Sequence, residues 1–191
     1  SIDQPKIIIV GGSSAGFGID EALLEEKSGY KVANLGLHAG FGAIIPTELS
    51  KANIQQGDII LLAYEWGWYA SGYFDKLGTE LVMSGFNDRF DMYARLPVRL
   101  YPRLLGYTFD LAKAKLDHEH ASGTYSSSSF DAQGRMILEK TRTFTAYETD
   151  PKLYGSVDLK NKVVADDVIA YLKEYVDYVT AKGASVYFVS C

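Results

Sequence analysis

One cysteine, Cys191, stands among the 191 residues. A lone cysteine excludes an internal disulfide and any structural zinc or iron–sulfur centre built on cysteines. Compartment stays open, because proteins work outside the cytoplasm without disulfides. Long apolar stretches are missing as well: no run would span a bilayer, and no secretory leader stands at the start. Positive charge is in deficit. With 19 Lys and Arg against 24 Asp and Glu, the formal charge is -5 and the pI about 5.2, so there is no overall attraction to phosphate. Nucleic-acid binding would need a local basic patch. The densest basic stretch, Arg95 to Arg103, interleaves with Leu96, Val98 and Leu100 in the manner of an amphipathic helix. Nucleic acid is therefore not an expected partner. An initiator methionine is also missing, since Ser1-Ile2-Asp3 runs straight into an apolar stretch. An absent amino-terminal segment, such as a leader or membrane anchor, is expected from this start; a chosen boundary would account for it equally.

What is present is enough for a core. Hydrophobic residues make up 47% of the chain, and its length suits one domain, residues 1–191. Lys6 to Val10 is a β-branched apolar run ending at Gly11-Gly12, the pattern of a strand buried on both faces. Asp20 followed by Glu21, with Gly29 as a stop, predicts a short helix. Lys31 to Leu35 reads as the second strand, Ile44 to Asn53 as a helix that tolerates Pro46 in its first turn, and Ile59 to Ala63 as the third strand. Val163, Val164, Val168, Ile169, Leu172, Val176 and Val179 recur at helical spacing before Gly183, and Ser185 to Ser190 reads as a strand. Strands alternating with helices predict an α/β fold with a parallel sheet flanked by helices.

Residues 66–158 break this rhythm. The segment is rich in Tyr, Trp and Phe, with one helix expected from about Pro97 to Asp117, a serine run at Ser126 to Ser129 and a small hairpin around Gly134. It reads as an insertion, and long excursions from such sheets often cover the edge where ligands bind.

The chemistry is expected where the first strand runs into Gly11-Gly12-Ser13-Ser14-Ala15-Gly16-Phe17-Gly18. A hydroxyl on a tight turn at the carboxyl edge of a sheet lies near amides without sheet partners, and such amides can stabilise an oxyanion. The bland alternative is that the glycines permit a turn and the serines cap a helix. Phosphate binding is disfavoured, because Gly11, Gly12, Gly16 and Gly18 fit neither G-x-G-x-x-G nor G-x-x-x-x-G-K-[ST]. No cofactor is expected.

These residues resemble the SGNH or GDSL-type hydrolases, and more closely the SGNH-like proteins associated with bacterial surface polysaccharides. Gly11-Gly12-Ser13 is similar to the family's first block, Gly-Asp-Ser, with Ser13 on the nucleophile position. Asn34-Leu35-Gly36-Leu37-His38-Ala39-Gly40 resembles the second block, which puts Gly40, or alternatively Gly42, on the oxyanion glycine. The resemblance implies a three-layer α/β/α sandwich of flavodoxin-like type. It also implies an esterase or acyltransferase acting on an ester, acetyl above all, of a carbohydrate outside the cytoplasm, with Ser13 and Gly40 amides holding the oxyanion.

Two blocks depart from the pattern. After the third strand many members carry Gly-x-Asn-Asp, whereas this chain has Ala63-Tyr64-Glu65-Trp66. An ionised Glu65 cannot donate to an oxyanion, so substrate binding or orientation of another group is its expected role. The Asp-x-x-His block that follows the family's last strand is not seen before Ser190-Cys191. The histidine base is then expected beyond Cys191, or the protein never had one and binds polysaccharide without turnover. Asp117-His118-Glu119-His120 spells Asp-x-x-His in the wrong order of elements and reads as a solvated helix end rather than a base or metal site. His38 is expected to line the pocket or shape its turn. Ser14 and Trp66 are further candidates for substrate contact, although most of the run Trp66, Trp68, Tyr69, Tyr73 and Phe74 is expected to be core.

Overall fold

The computed structural model describes residues 2–36, 38–69, 74, 77, 78, 81, 82, 90–116, 129–131, 137 and 164–189. Strand β1, Lys6–Gly11, is buried along its whole length. Its side chains alternate between two apolar clusters, as the two-residue period of a strand requires. Ile8 and Val10 join Ile60, Leu62, Ile44 and Val179, while Ile7 and Ile9 join Ala15, Val32 and Ala63. Each fully buried large aliphatic side chain is worth roughly 1.5–3 kcal/mol, which explains why a run of three isoleucines occupies the centre of the sheet.

Helix α1, Ser13–Gly18, follows β1 at once, and helix α2, Glu21–Ser28, follows α1. The start of α2 is fixed by Asp20, whose side chain accepts from the Leu23 amide at 3.0 Å. Its end is fixed by Gly29, which adopts a left-handed φ of 75° and returns its amide to Glu25 O. Strands β2, Lys31–Gly36, and β3, Ile59–Ala63, match the expected elements within a residue, and helix α3, Ile44–Ser50, starts as expected and ends three residues early. A 3₁₀ turn over Lys51–Asn53 completes the segment expected to be helical after Ile44.

Other stretches differ from expectation. The stretch after Gly12 is a helix, not an open glycine-rich turn. The last helix, which reaches Ala181, begins at Asp166 rather than near Val163, because Asp166 and Asp167 fill the acidic first turn and Val164 lies ahead of it. The final strand spans Ser185–Phe188 and is shorter than the sequence suggested; Ser190 lies outside the described residues.

Within the aromatic-rich region, helix α4 spans Asp91–Ala94 and helix α5 spans Tyr101–Leu116, with Pro102 in its first turn. Pro97 stays outside the helix, ahead of a 3₁₀ turn over Val98–Leu100. Met92, Leu96, Leu100, Leu104 and Leu111 belong to the same cluster as Ile8 and Val10, so these residues of the region join the core of the sheet. The Ile137 amide donates to Ser129 O at 2.9 Å; the expected turn around Gly134 lies between them, outside the described residues. Helix α6, Asp166–Ala181, leads to strand β4, Ser185–Phe188.

Among the described residues the sheet has four parallel strands, in the order β2-β1-β3-β4. At the amino end of the sheet, Lys6 and Asp58 form a buried ion pair at 2.8 Å. Asp58 also accepts from the amides of Lys6 at 3.0 Å and Gln55 at 2.9 Å, and Lys6 Nζ donates to Asn53 O at 2.8 Å. Both charges are thereby satisfied by hydrogen bonds as well as by each other. Among the described residues no helix is long and apolar enough to cross a membrane.

Candidate functional site

Strand register decides which loops meet. Gly11 of β1 lies beside Gly36 of β2 on one flank and Ala63 of β3 on the other. Three consecutive segments therefore leave the sheet level with one another: Gly12-Ser13-Ser14 in the middle, His38 to Gly42 beside it, and Tyr64-Glu65-Trp66 on the far side. The order of strands reverses between β1 and β3, the place where open parallel sheets hold their ligands.

Glycine lets the middle segment close up. A Cβ on Gly16 would stand 2.6 Å from Gly36 O, and one on Gly36 would stand 2.3 Å from Gly16 N. Backbone thus packs directly on backbone, holding α1 against the carboxyl end of β2. Asn34 reinforces this contact: its Nδ2 donates to Ala15 O at 3.1 Å and to Glu21 Oε1 at 2.7 Å, and its Oδ1 accepts from the Gly36 amide at 2.9 Å.

Ser13 opens α1 and is partly buried; Gly12 is the cap residue, and no side chain caps the helix. The alternative in which the serines cap a following helix is replaced by a helix that starts on Ser13 itself. Ser14 is engaged across the sheet. Its amide donates to Glu65 Oε1 at 3.3 Å, and its hydroxyl donates to the same oxygen. The carboxylate occupies the space left by the missing side chain of Gly12, where a Cβ would lie 2.6 Å from Glu65 Oε2. Oε2 is buried without a hydrogen-bond partner among the described residues. A carboxylate in this position opposes phosphate at the turn, which agrees with the poor fit to nucleotide-binding motifs.

On the other flank, a 3₁₀ turn spans Ala39–Phe41. The Gly40 amide donates to His38 Nδ1 at 3.1 Å, and the Phe41 amide donates to His38 O at 3.0 Å. His38 therefore shapes the turn, one of the two roles expected for it. The amide assigned to an oxyanion is occupied by the ring. Gly42, the alternate, has a φ of 65°.

The aromatic residues divide as expected between core and surface. Tyr64, Tyr69 and Phe74 are buried and meet edge-on or tilted, with centroids 6.0 to 6.5 Å apart, whereas Trp66 keeps 38% of its surface exposed. Tyr73 lies outside the described residues. Burial raises the Tyr64 phenol well above its ordinary pKa, and its hydroxyl turns inward to Ala43 O at 2.8 Å and Thr47 Oγ1 at 3.0 Å. Beyond Trp66 a groove of about 400 Å³ opens at the carboxyl ends of β3 and β4, lined by Tyr64, Trp66, Tyr69, Leu172, Phe188 and Val189, with Val164 beside them.

The candidate residues thus form two bonded pairs, Ser14 with Glu65 and His38 with Gly40, on either side of Ser13. Sequence reasoning missed the Ser14–Glu65 bond and the stapling by Asn34. Gly12, which leaves room for the carboxylate, was the available signal for the first. Among the described residues no group of three or more His, Cys, Asp or Glu comes together to hold a metal ion. Asp117-His118-Glu119-His120 lies outside them. Comparison of the chain with protein-family models, with curated proteins and with solved structures finds no match.

Proposed function

We propose that this carboxyl edge is an acyl-transfer site of SGNH type, in which Ser13 attacks an ester carbonyl on a carbohydrate and the acyl group passes to water or a sugar hydroxyl. The observation that carries the reading is the alignment of Gly36, Gly11 and Ala63 across neighbouring strands. It starts the serine turn, the glycine turn and the Glu65 segment from one level, as convergence on a single reacting atom requires. The division of β1 side chains between two clusters supports the three-layer, flavodoxin-like form of the fold that belongs to this reading.

In this mechanism Ser13 Oγ forms a bond to the carbonyl carbon while its proton passes to a base; the tetrahedral intermediate then breaks its bond to the sugar oxygen, which leaves with that proton, and water or an acceptor hydroxyl displaces Ser13 from the acyl group. The oxyanion is held by the amides of Ser13 and Gly40. Gly40 N exchanges His38 Nδ1 for the substrate oxygen as it does so. Glu65 positions the turn by gripping Ser14, and Trp66 faces the substrate. The resemblance supplies the base as the histidine of an Asp-x-x-His block, and supplies an extracytoplasmic setting.

The test is a serine-directed phosphonate probe followed by peptide mass spectrometry. An adduct on Ser13 that disappears in Ser13→Ala is the expected result; equal labelling of parent and variant removes Ser13 from the mechanism. A second reading, polysaccharide binding without turnover, draws on the same bonds: Gly40 N and Ser14 Oγ are already committed within the protein. Under that reading no adduct forms, while calorimetry still detects acetylated polysaccharide.

A further inference from the structure

We infer that the groove beside Trp66 is a subsite for an extended apolar acyl group, larger than acetyl; the assignment as an acyl subsite rests on the acyl-transfer reading of the neighbouring serine turn. Tyr64 and Trp66, which form one wall, bracket Glu65, the residue bonded to Ser14. The groove therefore begins where the reacting segment ends.

Its chemistry selects the occupant. The Tyr64 hydroxyl is turned away into the core, so the side chain offers ring rather than hydroxyl. Leu172 from α6 and Phe188 and Val189 from the end of β4 close the opposite side, and none of the described lining residues carries a charge. A sugar ring stacked on Trp66 would need hydrogen-bond partners around its rim, and aliphatic walls do not supply them. An alkyl chain needs none. The surface it would cover is now open to water, with Phe188 at 58% exposure, Val189 at 39% and Trp66 at 38%; covering such surface is favourable in proportion to its area. The volume of about 400 Å³ lies in the range of small-ligand sites.

Primary alkanols from ethanol to octanol, titrated by calorimetry, test the subsite without requiring turnover. Affinity is expected to rise by roughly fourfold per methylene, and methyl glucoside is expected not to bind there. Phe188→Ser and Trp66→Ala, both at exposed positions, should each weaken octanol at least about tenfold with the unfolding midpoint retained. Phe109→Ser, on the exposed face of α5, should leave affinity unchanged. Equal affinity for ethanol and octanol, a loss in Phe109→Ser instead of Phe188→Ser, or binding of methyl glucoside in place of octanol would overturn the inference. Ser13→Ala should bind octanol like the parent, so a missing phosphonate adduct with intact alkanol binding sinks the serine mechanism and leaves an apolar ligand site standing.

Discussion

Ser14 is tied at both its amide and its hydroxyl to a single oxygen of Glu65, a residue 51 positions further along the chain. This bond joins the ends of β1 and β3 where the strand order reverses. Removing the carboxylate leaves two donors unpaired in a partly buried place, a loss of about 1–3 kcal/mol. Glu65→Ala should show it in urea denaturation, whereas Glu65→Gln, which keeps an acceptor oxygen, should lose less than half as much. Equal losses in the two variants would mean that the bond does not hold the turn.

The contact between α1 and β2 makes a sharper prediction because it involves backbone alone. Gly16→Ala or Gly36→Ala forces a methyl group against a peptide unit that cannot move aside, and overpacking of this kind costs about 1–3 kcal/mol or more. A methyl group added at Gly18, in the same helix, would meet nothing within 4 Å. Gly18→Ala should therefore be neutral or stabilise by up to about 1 kcal/mol through better helix propensity. Thermal unfolding of the three variants side by side checks the order, and a destabilised Gly18→Ala would refute it.

Alkaline pH should unfold the protein through its buried tyrosines. Burial pushes the Tyr175 phenol from 10.0 up to about 12, the hydrogen bond with Ser50 pulls it down, and Glu48 adds to the rise. Burial likewise raises Tyr64 and Tyr171. A folded-state pKa above the unfolded one means that the stabilisation is whole below about pH 10 and is lost as pH climbs through about 12. The urea midpoint should fall across that window, and Tyr175→Phe should make the fall shallower. Parallel curves for parent and variant would remove Tyr175 from the transition.

The frame of the fold was legible where local chemistry dictates it. Ile7-Ile8-Ile9-Val10 reads as a central strand because no surface tolerates it, and Asp20 and Gly29 mark a helix by the bonds they make with their own neighbours. Ser13 to Gly18 was illegible as a helix: three of its six residues are serine or phenylalanine and two are glycine, all poor helix formers. Its conformation depends on the approach of Gly16 to Gly36, which exists only after β1 and β2 pair. The Ser14–Glu65 bond has the same origin: Gly12 leaves room for a carboxylate, but which one arrives is decided only when Gly11 and Ala63 stand side by side. His38 was half legible, because its partner Gly40 lies only two residues away.

The lock between Lys6 and Asp58 sits at the tails of the strands, far along them from the loops that would do chemistry. Asp58 receives two backbone amides and the ammonium there, so β1 and β3 are clasped at their feet independently of the Ser14–Glu65 bond at their heads. A change of loop at the opposite rim leaves that clasp untouched, so β1 and β3 keep one anchor while the residues above them are rewritten.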